Sequence, residues 1–111
     1  MNYQKYFSDY KYQYGSKDCW TFVQQVYKDE HNRELPDYPI CATKPEIASF
    51  LTSNIDYEIV DKAEKGCIVY YNNGNTHHAG YAINDKLYIH KTRQRVEVSN
   101  IPEKAIIYKI L

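Results

Sequence analysis

Cys19, Phe22, Val23, Val26 and Tyr27 stand at i, i+3, i+4, i+7 and i+8. That spacing is one apolar stripe on a helix running from Cys19 to about Asn32. Gln24, Gln25, Lys28, Asp29 and Glu30 supply the polar side. A helix this short is marginal alone and needs a second layer to cover its stripe. The segment Leu35-Pro36-Asp37-Tyr38-Pro39 cannot continue it, because two prolines remove donors and push their predecessors to extended backbone. A second, shorter helix is expected next, with Pro45 in its first turn and Ile47, Phe50 and Leu51 on its buried face. The second half reads as strands at Tyr57 to Val60, Cys67 to Tyr71, His78 to Ile83, Leu87 to Thr92, Arg95 to Val98 and Ile106 to Ile110. Asn72-Asn73-Gly74-Asn75 is expected to turn between two of them. Helices first and a strand meander after make the class α+β, N-terminal helices packed on a mostly antiparallel β-sheet.

The 111 residues suit one domain, 1–111, and 43% hydrophobic content supplies a single core. Lys+Arg and Asp+Glu balance at 14 each, so no basic face is expected for nucleic acid and no polybasic contact for a membrane. No apolar run approaches the ~20 residues that cross a bilayer. Met1 to Tyr14 has no apolar stretch, so we expect no secretory signal. Tyrosine is abundant, with 13 copies against 3 phenylalanines; core filling and binding are equally good accounts of it.

Three cysteines, Cys19, Cys41 and Cys67, make a poor disulfide framework and match no zinc spacing. Cys67 opens an apolar strand and is expected to be buried; Cys41 lies in a loop. Cys19 is different because it sits at a helix start. A free thiol has a pKa of ~8.5, and a helix N-terminus lowers it while offering N–H groups to a developing oxyanion. Asp18, just before it, is a good N-cap; turned elsewhere, its carboxylate would oppose the thiolate.

A thiol nucleophile also needs a base. His31 lies at the far end of the helix, and His77 and His78 point to opposite faces of a strand. If Asn84-Asp85-Lys86 is a three-residue hairpin loop, Ile83 pairs with Leu87, His78 faces Thr92, and His90 is the diagonal neighbour of His78 on the same face. His78 would then be the base and His90 the residue that orients it. A two-residue loop would pair His77 with His90 instead. Gly80 and Ala82, on the face of His78, would leave room for the helix and a substrate. Read from spacing alone, Cys19 could equally be a core residue and the histidines ordinary sheet residues. Zinc held by His77, His78 and His90 is a weaker alternative.

Tyr12-Gln13-Tyr14-Gly15, Asp18-Cys19-Trp20-Thr21-Phe22-Val23, His78-Ala79-Gly80-Tyr81-Ala82-Ile83, and His90 after them, resemble the NlpC/P60 family. The resemblance implies the papain-like NlpC/P60 fold and cleavage of cell-wall peptides. It matches Cys19 to the nucleophile, His78 to the base and His90 to the polar third member. It places Tyr12, Asp18 and Trp20 at the substrate end. Asp18-Cys19-Trp20 together with Leu35-Pro36-Asp37-Tyr38 is similar to phage and prophage cell-wall peptidases of the kind found with tail-tip assembly genes. The resemblance thus implies a peptidoglycan stem-peptide substrate, other phage tail-tip proteins as partners, and a place in the virion tail, or in the host cytoplasm before assembly. No metal or organic cofactor is called for. The sequence departs from the family at Gly15-Ser16, Trp20-Thr21 and Gly66-Cys67. Two other readings stay open: a tail-tip component with an idle thiol, and another thiol chemistry on the same frame, such as an amidase, transpeptidase or acyltransferase.

Overall fold

The computed structural model describes Tyr6 and residues 19–35, 56–72, 77–92 and 95–111. Helix α1 spans Cys19–His31. Strands follow as β1 Tyr57–Val60, β2 Ile68–Asn72, β3 His77–Ala82, β4 Leu87–Lys91, β5 Val96–Asn100 and β6 Ile106–Ile110. Every pairing among them is antiparallel, in the order β1-β6-β2-β3-β4-β5. The strands from β2 to β5 form a meander, and β6 returns to lie beside β2. The expected elements are therefore present within one or two residues at their ends. The second helix, around Pro45, and the Asn73–Asn75 part of the expected turn lie outside the described residues.

Helix α1 ends where Asn32 adopts a left-handed φ of 50°, with its N–H still bonded to the Lys28 carbonyl at 3.1 Å. Asparagine is one of the few side chains that tolerates this conformation, so the helix stops there. Lys28 and His31 in the last turn complement the negative end of the helix dipole.

Partners across an antiparallel pair share a face, so the registers divide the sheet cleanly. Ile68, Tyr70, Ala79, Tyr81, Ile89, Val96 and Tyr108 lie on one face and form a buried cluster with Trp20, Phe22, Val23, Val26 and Tyr27 of α1. Phe22, Val23 and Val26 are fully buried there, each stabilising the fold by about 1.5–3 kcal/mol. On the opposite face Val69, Ala82, Tyr88 and Ile107 join Ala63 and Cys67 in a second cluster.

Among the described residues, most tyrosines take the place of phenylalanine. Tyr6, Tyr27, Tyr70, Tyr81, Tyr88 and Tyr108 are all buried. Three of these hydroxyls have side-chain or backbone partners: Tyr27 donates to the Gly66 carbonyl, Tyr6 to the Asp29 carboxylate, and Tyr81 meets His31 Nε2 at 2.9 Å. Burying Tyr rather than Phe is stable only with such partners. Among the described residues, no helix is long and apolar enough to cross a membrane.

Candidate active site

The β3–β4 turn decides which histidine meets which. Asn84 Oδ1 accepts the backbone N–H of Lys86 at 2.8 Å and of Leu87 at 2.9 Å. This side-chain-closed turn sets a three-residue loop, and Ile83 N–H bonds the Leu87 carbonyl at 2.9 Å. From there the register runs Ala82 to Tyr88, Tyr81 to Ile89 and Gly80 to His90. Two residues further along each strand, His78 stands at the position facing Thr92. The diagonal contact follows: His78 Nε2 and His90 Nδ1 are 2.6 Å apart, with the rings nearly perpendicular at 79°.

His90 is in turn held from both neighbours. The Tyr88 ring stacks on it at 4.2 Å. Its Nε2 lies 2.9 Å from Ser99 Oγ and 3.7 Å from Glu97 Oε1, both on β5. The other Glu97 oxygen, Oε2, accepts from Arg95 Nε at 3.0 Å. The sequence reading missed Glu97, Ser99 and Tyr88. Their alternation along the strands was visible, but the β4–β5 register that brings Glu97 opposite His90 was not.

Burial pushes His78 down from its ordinary 6.5 to about 4, with the neighbouring His90 adding to the fall and Glu97 opposing it. Burial lowers His90 as well, again against Glu97. Both rings are therefore neutral at pH 7, and a neutral imidazole is the form that can accept a proton.

Two expectations need correction. Gly80 does not make room for the helix, which packs on the opposite face, against Ala79 and Tyr81. A Cβ at Gly80 would sit 2.3 Å from Tyr88 Cδ2 and 3.1 Å from His90 Cβ. The missing side chain thus admits the Tyr88–His90 stack. Trp20, expected at the substrate end, is 2% exposed and belongs to the core under α1.

Cys19 is the first residue of α1 and partly exposed. The C-terminal end of the helix is tied to the far end of β3, through Tyr27 to Gly66 and His31 to Tyr81, and Gly66 N–H bonds the Ala82 carbonyl at 3.0 Å. His78 and His90 lie on the sheet face opposite the one that α1 covers. Tyr12, Asp18 and Cys41 lie outside the described residues. Cys67 is 1% exposed, and burial pushes its thiol up, which makes it inert. Among the described residues, no three His, Cys, Asp or Glu side chains are grouped to hold a metal ion.

The model of the NlpC/P60 family matches residues 9–111. The fold is similar to the crystal structure of the NlpC/p60 domain of peptidoglycan hydrolase SagA, at 22% sequence identity and a TM-score of 0.63, over 96% of this chain and 90% of that one. At that identity the likeness is one of fold. No curated protein matches the chain.

Proposed function

This chain belongs to the NlpC/P60 family, and from that premise we propose that it is a thiol hydrolase of peptidoglycan stem peptides, with Cys19 as nucleophile, His78 as base and His90 as the residue that orients the base. The observation that carries the reading is the 2.6 Å contact between His78 Nε2 and His90 Nδ1. It occupies one nitrogen of His78 and leaves Nδ1 for a thiol. A neutral His78 takes the Cys19 proton at Nδ1, and the thiolate attacks an amide carbonyl. In this reading the oxyanion is received by backbone N–H groups at the start of α1. When the tetrahedral adduct collapses, the C–N bond breaks and the amine leaves with the proton from His78. Water, deprotonated by His78, then opens the thioester and frees the acid and the thiol.

Tyr12 and Asp18 complete the substrate end in this reading, and Trp20 supports the helix from beneath. The single domain 1–111, the tail-tip partners and the virion tail location belong to the same proposal. Their support is the Asp18-Cys19-Trp20 and Leu35-Pro36-Asp37-Tyr38 combination.

The test is digestion of defined muropeptides with mass analysis of the products. The parent protein should release stem-peptide fragments whose masses identify the bond cut, and a folded Cys19→Ala variant should release none. Equal digestion by both proteins rules out Cys19 as nucleophile. No digestion by the parent, together with a Cys19 silent to thiol probes, turns the reading toward a structural tail component. Product masses separate endopeptidase from amidase or transpeptidase.

A further inference from the structure

The contact between the two histidines can be built in two ways, and β5 decides between them. A neutral imidazole carries one proton, on Nδ1 or on Nε2. One proton must lie between His78 Nε2 and His90 Nδ1 at 2.6 Å. If His90 supplied it, His90 Nε2 would be a bare lone pair facing the Glu97 carboxylate at 3.7 Å. If His78 supplies it, His90 carries its proton on Nε2, aimed at Ser99 Oγ at 2.9 Å and at the Glu97 charge. Only the second arrangement puts hydrogen toward the anion.

We propose that Glu97, with Ser99, is a positioning pair of this site: it holds His90 in the Nε2–H form, which holds His78 in the Nε2–H form and keeps His78 Nδ1 bare to receive the thiol proton. The proposal rests on His78 being the base. Arg95 Nε, 3.0 Å from Glu97 Oε2, keeps the carboxylate turned with its other oxygen toward His90. The remaining groups facing the two rings are Tyr88 from β4 and Tyr71 from β2, which pairs with His78. Neither is a carboxylate, so Glu97 is the only acidic residue among the described side chains of these strands that faces the pair. Burial disfavours protonation of both rings, His90 adds to this at His78, and Glu97 is the group that opposes it at both. The same charge therefore steadies the imidazolium formed once His78 has taken the thiol proton. Without it, the relay could run backwards, with His78 Nδ1 already protonated and useless as a base.

The experiment reads the ring protons directly, in uniformly ¹⁵N-labelled protein, by long-range proton–nitrogen correlation at neutral pH. His78 and His90 should both be Nε2–H tautomers. In the Glu97→Gln, Ser99→Ala double variant, His78 should show the Nδ1–H form, and kcat on muropeptides should fall about tenfold with KM nearly unchanged. Glu97→Asp in the Ser99→Ala background should recover part of the loss. A parent protein with His78 in the Nδ1–H form overturns the proposal, even if no variant folds. So does a double variant that keeps both tautomers and the parent kcat. Expected tautomers and the expected switch in a protein that cleaves no muropeptide would support the positioning role and remove the hydrolase reading instead.

Discussion

The Tyr88 ring lies flat on the His90 imidazole, centroids 4.2 Å apart and planes within 10°, above the bare backbone of Gly80. That stack is the floor on which the His78–His90 contact is held, so its support should be felt in catalysis. Gly80→Ala places a methyl 2.3 Å from Tyr88 Cδ2 and 2.7 Å from Cε2. The ring must lift and take His90 with it. Overpacking of this kind costs about 1–3 kcal/mol. Urea unfolding should register that loss, and muropeptide cleavage should drop by more than about tenfold, because the base is misaligned. A Gly80→Ala protein with parental rate would show that the stack does not hold the site.

Removing the orienting ring should separate stability from turnover. His90→Ala leaves His78 Nε2 without its described partner in a buried place, at a cost of about 1–3 kcal/mol. Turnover should fall about a hundredfold, since general base catalysis contributes about 10²–10⁴-fold and the base survives in a poor orientation. His90→Asn, which can return an acceptor oxygen, should recover a measurable part of kcat. Equal kcat for His90→Ala and the parent would exclude an orienting role.

Acid should destabilise the fold through His78. Its pKa in the folded chain is about 4 against an ordinary 6.5. The unfolded chain therefore binds a proton first as pH falls, and the stability of the neutral buried ring, complete above 6.5, is lost as pH drops toward 4. This one residue accounts for about 2 kcal/mol between pH 7 and pH 5. His90 shifts the same way and adds to it. Urea midpoints across that range should show the slope, and His78→Gln should flatten it. The same shift puts the acid limb of kcat/KM near pH 4, so cleavage should persist through mildly acidic solutions where an ordinary histidine base would already be protonated. An acid limb near 6.5 would refute the depressed value.

Thiol labelling should distinguish the cysteines. Cys19 is partly exposed at a helix start, whereas Cys67 is 1% exposed with its thiol pushed up by burial. In a Cys41→Ala background, an alkylating agent should modify Cys19 well before Cys67, as peptide mapping would show. Faster labelling of Cys67 would contradict its burial.

Tyr81→Phe is the control for the helix-covered face. It removes the 2.9 Å bond to His31 while keeping the buried ring, and should cost about 1 kcal/mol in unfolding experiments. Its kcat should match the parent, because Tyr81 faces away from His78 and His90.

Much of this protein was determined by local pattern. The α1 stripe, the alternation in the strands and the Asn84-Asp85-Lys86 turn are short-range signals, and each strand has a fixed two-residue period. Parity carries along a hairpin without loss, so the sequence reduced the choice between His77 and His78 to the length of one loop, and the Asn84-closed turn set that length at three residues. Cys67 was legible as a buried thiol for the same reason. What only the tertiary structure decided is whatever depends on contacts between distant segments. The face of the sheet that α1 covers, the burial of Trp20, the return of β6 beside β2, and the β4–β5 register that sets Glu97 and Ser99 against His90 have no local code. Nor does the pKa of His78, since the fall to about 4 is chiefly desolvation, and a ring is dry only once the rest of the chain has packed around it.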